Sequence, residues 1–167
     1  MASGDTLVVF TALNNEPPSS NYATVDTRNG AVVLDFDDTN DESAEFSGFM
    51  PLHYGGGAVT VSIGWMATDV TVAPGTVRWD VAFKSFTDDT DDIDSKAFHT
   101  AGSVTSTEAS ASGELQYADI AFSDNAAVDV TAAGEYFRLK VTRDANHVSD
   151  DTLGGDAELL FVSIKET

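Results

Sequence analysis

Ala58 to Ala67 reads A-V-T-V-S-I-G-W-M-A. In an extended chain Val59, Val61, Ile63 and Trp65 fall on one side, and Thr60, Ser62, Gly64 and Met66 on the other. This period of two marks a strand with one face in a core. Val77, Trp79, Val81 and Phe83 repeat the pattern against Arg78, Asp80, Ala82 and Lys84. Phe137, Leu139 and Val141 repeat it again against Tyr136, Arg138, Lys140 and Thr142. Trp65 and Trp79 stand in register with aliphatic neighbours, so both rings are expected inside.

Working outward, weaker strand signals rich in Val, Ile, Phe, Tyr and Thr occupy Leu7 to Thr11, Tyr22 to Thr27, Val32 to Phe36, Ser43 to Phe49, Val104 to Thr107, Leu115 to Ser123 and Ala157 to Ile164. Clusters of Gly, Asp, Asn, Ser and Pro separate them. In the last segment simple alternation puts Leu159 and Phe161 on one side and Leu160, Val162 and Ile164 on the other. Ser95 to Ala101 is the one stretch expected to form a turn of helix. The fold class is all-β: an antiparallel β-sandwich, jelly-roll-like, with roughly eight to ten strands in two packed sheets.

The 167 residues suit a single domain, a size that buries roughly 70% of the surface its unfolded chain exposes. Residues 1–21 read as an N-terminal strand followed by a Pro-containing arm or loop, and residues 22–167 as the sandwich proper. Pro17 and Pro18 lack amide donors and cannot sit in a central strand. The chain has no cysteine, which removes disulfides, thiolate metal sites and cysteine nucleophiles. No segment approaches the ~20 apolar residues that span a bilayer, and the first residues carry no basic, apolar leader. The expectation is a soluble chain made without an export signal. The formal net charge of -20, from 28 Asp and Glu against 8 Lys and Arg, repels nucleic-acid phosphates and anionic head groups. Neither nucleic acid nor membrane is an expected partner.

No arrangement of residues marks a catalytic centre. The acidic runs Asp35, Asp37, Asp38, Asp41, Glu42 and Asp88, Asp89, Asp91, Asp92, Asp94 hold the oxygen ligands calcium prefers. From Asp88, however, Ile93 replaces the turn glycine of a calcium loop and His99 its bidentate Glu; from Asp35 the loop ends at Phe46. Both runs read as solvated turns, with no metal or cofactor assigned. His53, His99 and His147 lack ligand spacing, no G-x-S-x-G places a serine nucleophile, and the Gly55 to Gly57 run is not followed by a phosphate-binding Lys and helix. Acids occur in nearly every loop, so none is singled out as half of a glycosidase pair. The expectation is a chain that is not an enzyme. Tyr22, Tyr54, Tyr117 and Tyr136 are candidate platforms for sugar rings.

Four further stretches carry a resemblance: Asn14 to Thr24 (N-N-E-P-P-S-S-N-Y-A-T), Leu34 to Thr39 (L-D-F-D-D-T), Phe137 to Asp144 (F-R-L-K-V-T-R-D) and Gly155 to Leu160 (G-D-A-E-L-L). Together they resemble small β-sandwich virion proteins of tailed bacteriophages, of the capsid decoration or cement kind. The resemblance implies a homotrimer made in the host cytoplasm that sits on the outer capsid surface, binds the phage major capsid protein and stabilises its lattice. Asn15, Glu16, Pro17, Pro18, Asn21 and Tyr22 are then the candidate protein-contact arm, since a preset extended backbone loses less entropy on docking. The alternative is a carbohydrate-binding or host-adhesion β-sandwich of a phage tail or fibre.

Overall fold

The computed structural model describes residues 4–70, 73–123 and 132–167. Among the described residues ten strands form where the alternating segments lie: β1 (Thr6–Thr11), β2 (Thr24–Arg28), β3 (Ala31–Phe36), β4 (Glu42–Phe49), β5 (Val59–Ala67), β6 (Thr76–Phe86), β7 (Gly102–Thr107), β8 (Gln116–Phe122), β9 (Tyr136–Arg143) and β10 (Ala157–Glu166). They make an antiparallel β-sandwich. One sheet has the order β2-β3-β10-β5-β8, with β1 also paired to β10; the other has the order β4-β9-β6-β7.

The inner faces close on a single core. Val59, Val61, Ile63 and Trp65 of β5 meet Val77, Trp79, Val81 and Phe83 of β6 and Phe137, Leu139 and Val141 of β9. Trp79 stands edge-on between Phe36 and Trp65, with centroids 5.1 and 6.1 Å away, an arrangement the ring quadrupoles favour. The buried Trp65 indole N–H donates to Ser106 Oγ at 3.0 Å. The N-terminal segment is part of this core, because Leu7, Phe10 and Ala12 are buried in it and Phe10 stacks on Phe46 at 5.3 Å. Residues 1–3 of that segment lie outside the described residues.

Two expectations are corrected. Ser95 to Ala101 forms no helical turn: it runs as irregular chain toward β7, with the His99 amide bonded to the Phe83 carbonyl at 2.9 Å. Among the described residues the only helical element is the 3-10 turn Ala12–Asn14. In β10 the alternation is broken by a bulge between Leu159 and Phe161. The extra residue turns Leu159 to the core beside Val162 and Ile164, and sends Phe161 to the outer face over Gly64.

Candidate functional site: the outer face of the four-stranded sheet

The strands that bury Phe137, Leu139 and Val141 must present the intervening residues outward, and register sets these in rows across β4, β9 and β6. The first row is Phe49, Tyr136 and Phe86; the second Ser47, Arg138 and Lys84; the third Glu45, Lys140 and Ala82; the fourth Ser43, Thr142 and Asp80. In the first row Phe49 and Phe86 each lie 5.4 Å from Tyr136, centroid to centroid, tilted by 58° and 38°. Phe49 is 66% exposed. Tyr136 and Phe86 are half-buried, so the aromatic ladder opens to solvent chiefly at Phe49.

Cations occupy the next two rows. Arg138 reaches Glu45 at 2.9 Å and Glu16 at 3.4 Å. The Lys84 ammonium donates to the Lys96 carbonyl at 3.4 Å and lies 4.5 Å from the Phe98 ring centroid, while that of Lys140 lies 5.0 Å from the same centroid. Burial, followed by the nearby Arg138 and Lys140 charges, pushes the Lys84 ammonium below its ordinary pKa. Phe98, His99, Asp80, Ala82, Lys140 and Thr142 border a cleft of about 300 Å³. At the far end Arg78 is neutralised by Asp80, Asp144 and Asp150 at 3.2, 3.2 and 2.9 Å.

The candidate contact arm runs beside this face, docked on β4. The Glu16 amide donates to the Glu45 carbonyl at 2.7 Å, the Glu45 amide to Asn15 Oδ1 at 3.1 Å, and the Ser43 amide to the Asn21 carbonyl at 2.8 Å. Tyr22 forms a parallel bridge with Ser43. The segment thus covers the exposed edge of β4, and the prolines lie between its two points of attachment, at Glu16 and at Asn21 and Tyr22. Glu16 also accepts from Ser47 Oγ, which ties the arm to the outer face. Glu16, Pro17, Asn21 and Tyr22 remain exposed, and Asn15 and Pro18 half-buried.

Of the four candidate tyrosine platforms, Tyr54 is withdrawn: it is buried, with its hydroxyl turned to the Gly57 carbonyl. Tyr136 sits at the centre of the ladder. Tyr117 lies on the opposite sheet, edge-on to Phe161 at 5.6 Å. There an apolar groove of about 460 Å³ runs between Val9, Leu13, Val32, Leu160 and Phe161.

Sequence reading did not assemble Phe49, Phe86, Phe98, Lys84, Arg138 and Lys140. A usable signal was the placement of cations: the chain has only eight Lys and Arg, and Arg78, Lys84, Arg138 and Lys140 all stand at outward positions of two neighbouring strands.

The acidic runs behave differently from one another. Asp91 accepts from the Thr87 amide and pairs with Lys96, and Asp92 accepts from the Asp94 amide, as turn residues do. Asp37 also caps its own turn, and the donors of Thr39 and Asn40 hold its carboxyl down to about 2. Yet Asp37, Asp38 and the sequence-distant Asp156 bring one oxygen each to within 4.8 Å of one another. Hard oxygen ligands so placed are the set that would hold a divalent cation. Nearby, burial and then the charges of Asp156, Glu158, Asp26 and Glu42 raise the Asp35 carboxyl to about 6.

Fold and surface together define an antiparallel β-sandwich module with an aromatic and cationic outer face. No protein-family model and no curated protein matches the chain. Solved structures do. The chain is similar to the CBM22-1 and GH10 modules of the Clostridium thermocellum endo-1,4-β-D-xylanase 10B complexed with xylohexaose (TM-score 0.52, 16% identity, 98% of this chain and 29% of that chain). It is similar to an arabinose-bound GH51 α-L-arabinofuranosidase (TM-score 0.52, 10% identity, 98% and 26%). It is also similar to the CBM22-2 xylan-binding domain of a Paenibacillus barcinonensis protein (TM-score 0.48, 14% identity, 92% of each chain). The chain spans less than a third of the first two. At these identities the likeness is one of fold.

Proposed function

We propose that this chain is a non-catalytic glycan-binding module whose binding surface is the outer face of the four-stranded sheet. The observation that carries the reading is the open ladder of Phe49, Tyr136 and Phe86, bordered by polar and charged rows. An exposed ring, Phe49, continued by two half-buried ones costs solvation unless something covers it. The C–H faces of pyranose rings are apolar and flat, while their hydroxyls need donors and acceptors at the rim. An aromatic floor with Ser47, Arg138 and Lys84 one row away meets both needs. That the same fold occurs in chains whose structures hold xylohexaose or arabinose supports the reading.

The test is gel retardation in a panel of soluble polysaccharides. At least one glycan should retard the wild-type protein, and Tyr136→Ala should lose about tenfold in affinity, roughly 1.4 kcal/mol, with the melting temperature of the fold kept above the assay temperature. Mobility unchanged by every glycan, or equal retardation of the variant, would overturn it.

A second reading, the capsid-decoration role that the sequence resemblance implies, draws support from the apolar groove on the other sheet, where Val9 and Leu13 are exposed. A module seated on a protein lattice uses such area outside its core. Co-sedimentation with empty phage heads tests it: pelleting with the heads supports the role, and its absence rejects it.

A further inference from the structure

Resting on that reading, we propose that the glycan taken by this face carries carboxylates: a uronate-bearing polysaccharide, with Lys84, Lys140 and Arg138 receiving the acid groups and the aromatic ladder receiving the sugar rings.

The argument begins with charge. A chain with 28 acids and 8 cations has a carboxylate to spare for every Lys and Arg, and five are so used: Arg28 with Glu158, Arg78 with three acids, Lys96 with Asp91, Arg138 with Glu45 and Arg143 with Asp151. Lys84 and Lys140 are different. Among the described residues neither has a carboxylate at ion-pair distance, a feature shared by Lys165 on the other sheet, although Lys140 stands opposite Glu45 in the register; both ammoniums converge on one ring, Phe98. Lys84 is also the direct cross-strand partner of Arg138, and Lys140 follows two positions along the same strand. Like charges directly opposite in a sheet destabilise it.

Arg138 adds a further sign, since its Nε is buried with no hydrogen-bond partner although the rest of the guanidinium reaches Glu45 and Glu16. In the two middle rows three cations face two acids, Glu45 and Glu16, with Lys84 and Arg138 directly opposite one another, while the far end of the face sets Arg78 among three acids. An arriving anion would relieve the repulsion.

Geometry then selects the class of anion. The cationic row lies two residues along the strands from the ladder, about 7 Å at the usual rise, the scale of one sugar. A chain stacked on Tyr136 therefore brings the carboxylate of the same or the next residue over Lys84 and Arg138. Duplex nucleic acid, with a charge about every 1.7 Å, would meet the net charge of -20 as a dense polyanion. A uronate glycan carries at most one charge per sugar. At physiological salt the Debye length of about 8 Å screens the distant acids but not the contacts of a carboxylate on the face itself.

The experiment is calorimetric titration of the wild-type protein, in 150 mM salt, with matched pairs of the same backbone: polygalacturonate against its methyl ester, and glucuronoxylan against its carboxyl-reduced form. Dextran sulfate serves as a third, sulfated arm. The acid member of at least one pair should bind tenfold or more tightly than its neutral partner. Lys84→Gln with Lys140→Gln should reduce that member to the neutral level. The wild-type comparison stands without the variant, should the variant fold poorly. Equal affinity for both members of each pair would overturn the proposal and leave glycan binding intact. No binding of either member of any pair would overturn this proposal, while the glycan reading itself stands or falls with the gel-retardation panel. Tighter binding of dextran sulfate, with no acid preference within the pairs, would overturn the carboxylate assignment.

Discussion

Replacing Arg143 with Leu should cost this fold about 4 kcal/mol. Arg143 closes β9 at a core-facing position and its side chain is fully buried. Its Nε and Nη2 grip Asp151 bidentately at 3.0 and 2.9 Å, Nη1 donates to the carbonyls of Phe36 and Gly155 at 3.1 and 2.9 Å, and Nη2 donates to that of Leu153 at 3.1 Å. One side chain thus joins the end of β3, the end of β9 and the approach to β10. Leucine would leave the Asp151 carboxylate, itself 1% exposed, without its cation, a loss of about 3–5 kcal/mol for a broken buried pair. The three carbonyls that lose a donor would add about 1–3 kcal/mol each if nothing replaced it, but the effects overlap because the site relaxes as a unit. The assay is urea unfolding followed by the fluorescence of the buried Trp65 and Trp79. With a slope of about 2 kcal/mol per molar urea, the midpoint should fall by about 2 M. Removing Asp151 as well, by Asp151→Leu, should recover part of the loss, because an apolar pair replaces an ion pair more cheaply than half of one does. A single-variant loss below 1 kcal/mol would refute the reasoning.

Stability should also rise as pH falls from 7.5 to 5.5. Asp35 is raised in the fold to about 6 from an ordinary 3.8. The folded state therefore binds the extra proton, and the gain is complete below the unfolded value and lost as pH climbs through the folded one. Over the whole titration two units would be roughly 3 kcal/mol, which water at this partly exposed carboxyl screens to about 1 kcal/mol; the step from pH 7.5 to 5.5 covers only about a quarter of it, so the melting temperature should rise by about 1 °C. Glu42, Asp144 and Asp156 are raised too, all chiefly by burial, and act in the same direction. The depressed acid Asp37 opposes them only at much lower pH. Thermal melts across this range check the sign, and a flat or falling curve contradicts it. Gly64→Ala should destabilise by about 1–3 kcal/mol, because a Cβ there would intrude on the Phe161 ring. The same variant should bind any glycan ligand as the wild type does, since Gly64 belongs to the other sheet.

The strands and much of the core were legible because alternation is a local property: Val59 to Trp65 and Val77 to Phe83 declare their buried faces without reference to any neighbour. The bulge in β10 was not legible. Leu159, Leu160, Phe161 and Val162 are all apolar, so no polar residue marks the slip, and only pairing with Gly64 and Leu34 fixes which side each takes. Arg143 could have been read, since it continues the buried series Phe137, Leu139, Val141, but a charge at a core position becomes sensible only once Asp151 and three carbonyls close around it. The aromatic ladder depends on register between strands far apart in sequence. Nothing near Phe49 or Phe86 foretells that Tyr136 will stand between them, and Phe98 reaches Lys84 and Lys140 through a segment whose path follows no periodic pattern.

The most direct test of the account is to map amide shifts by NMR while titrating in whichever glycan retards the protein. The account predicts that the perturbed amides cluster at Phe49, Lys84, Phe86, Tyr136, Arg138 and Lys140, on the outer rows of β4, β6 and β9. Perturbations centred instead on Tyr117, Phe161 and Val9 would place the binding surface on the opposite sheet and contradict it.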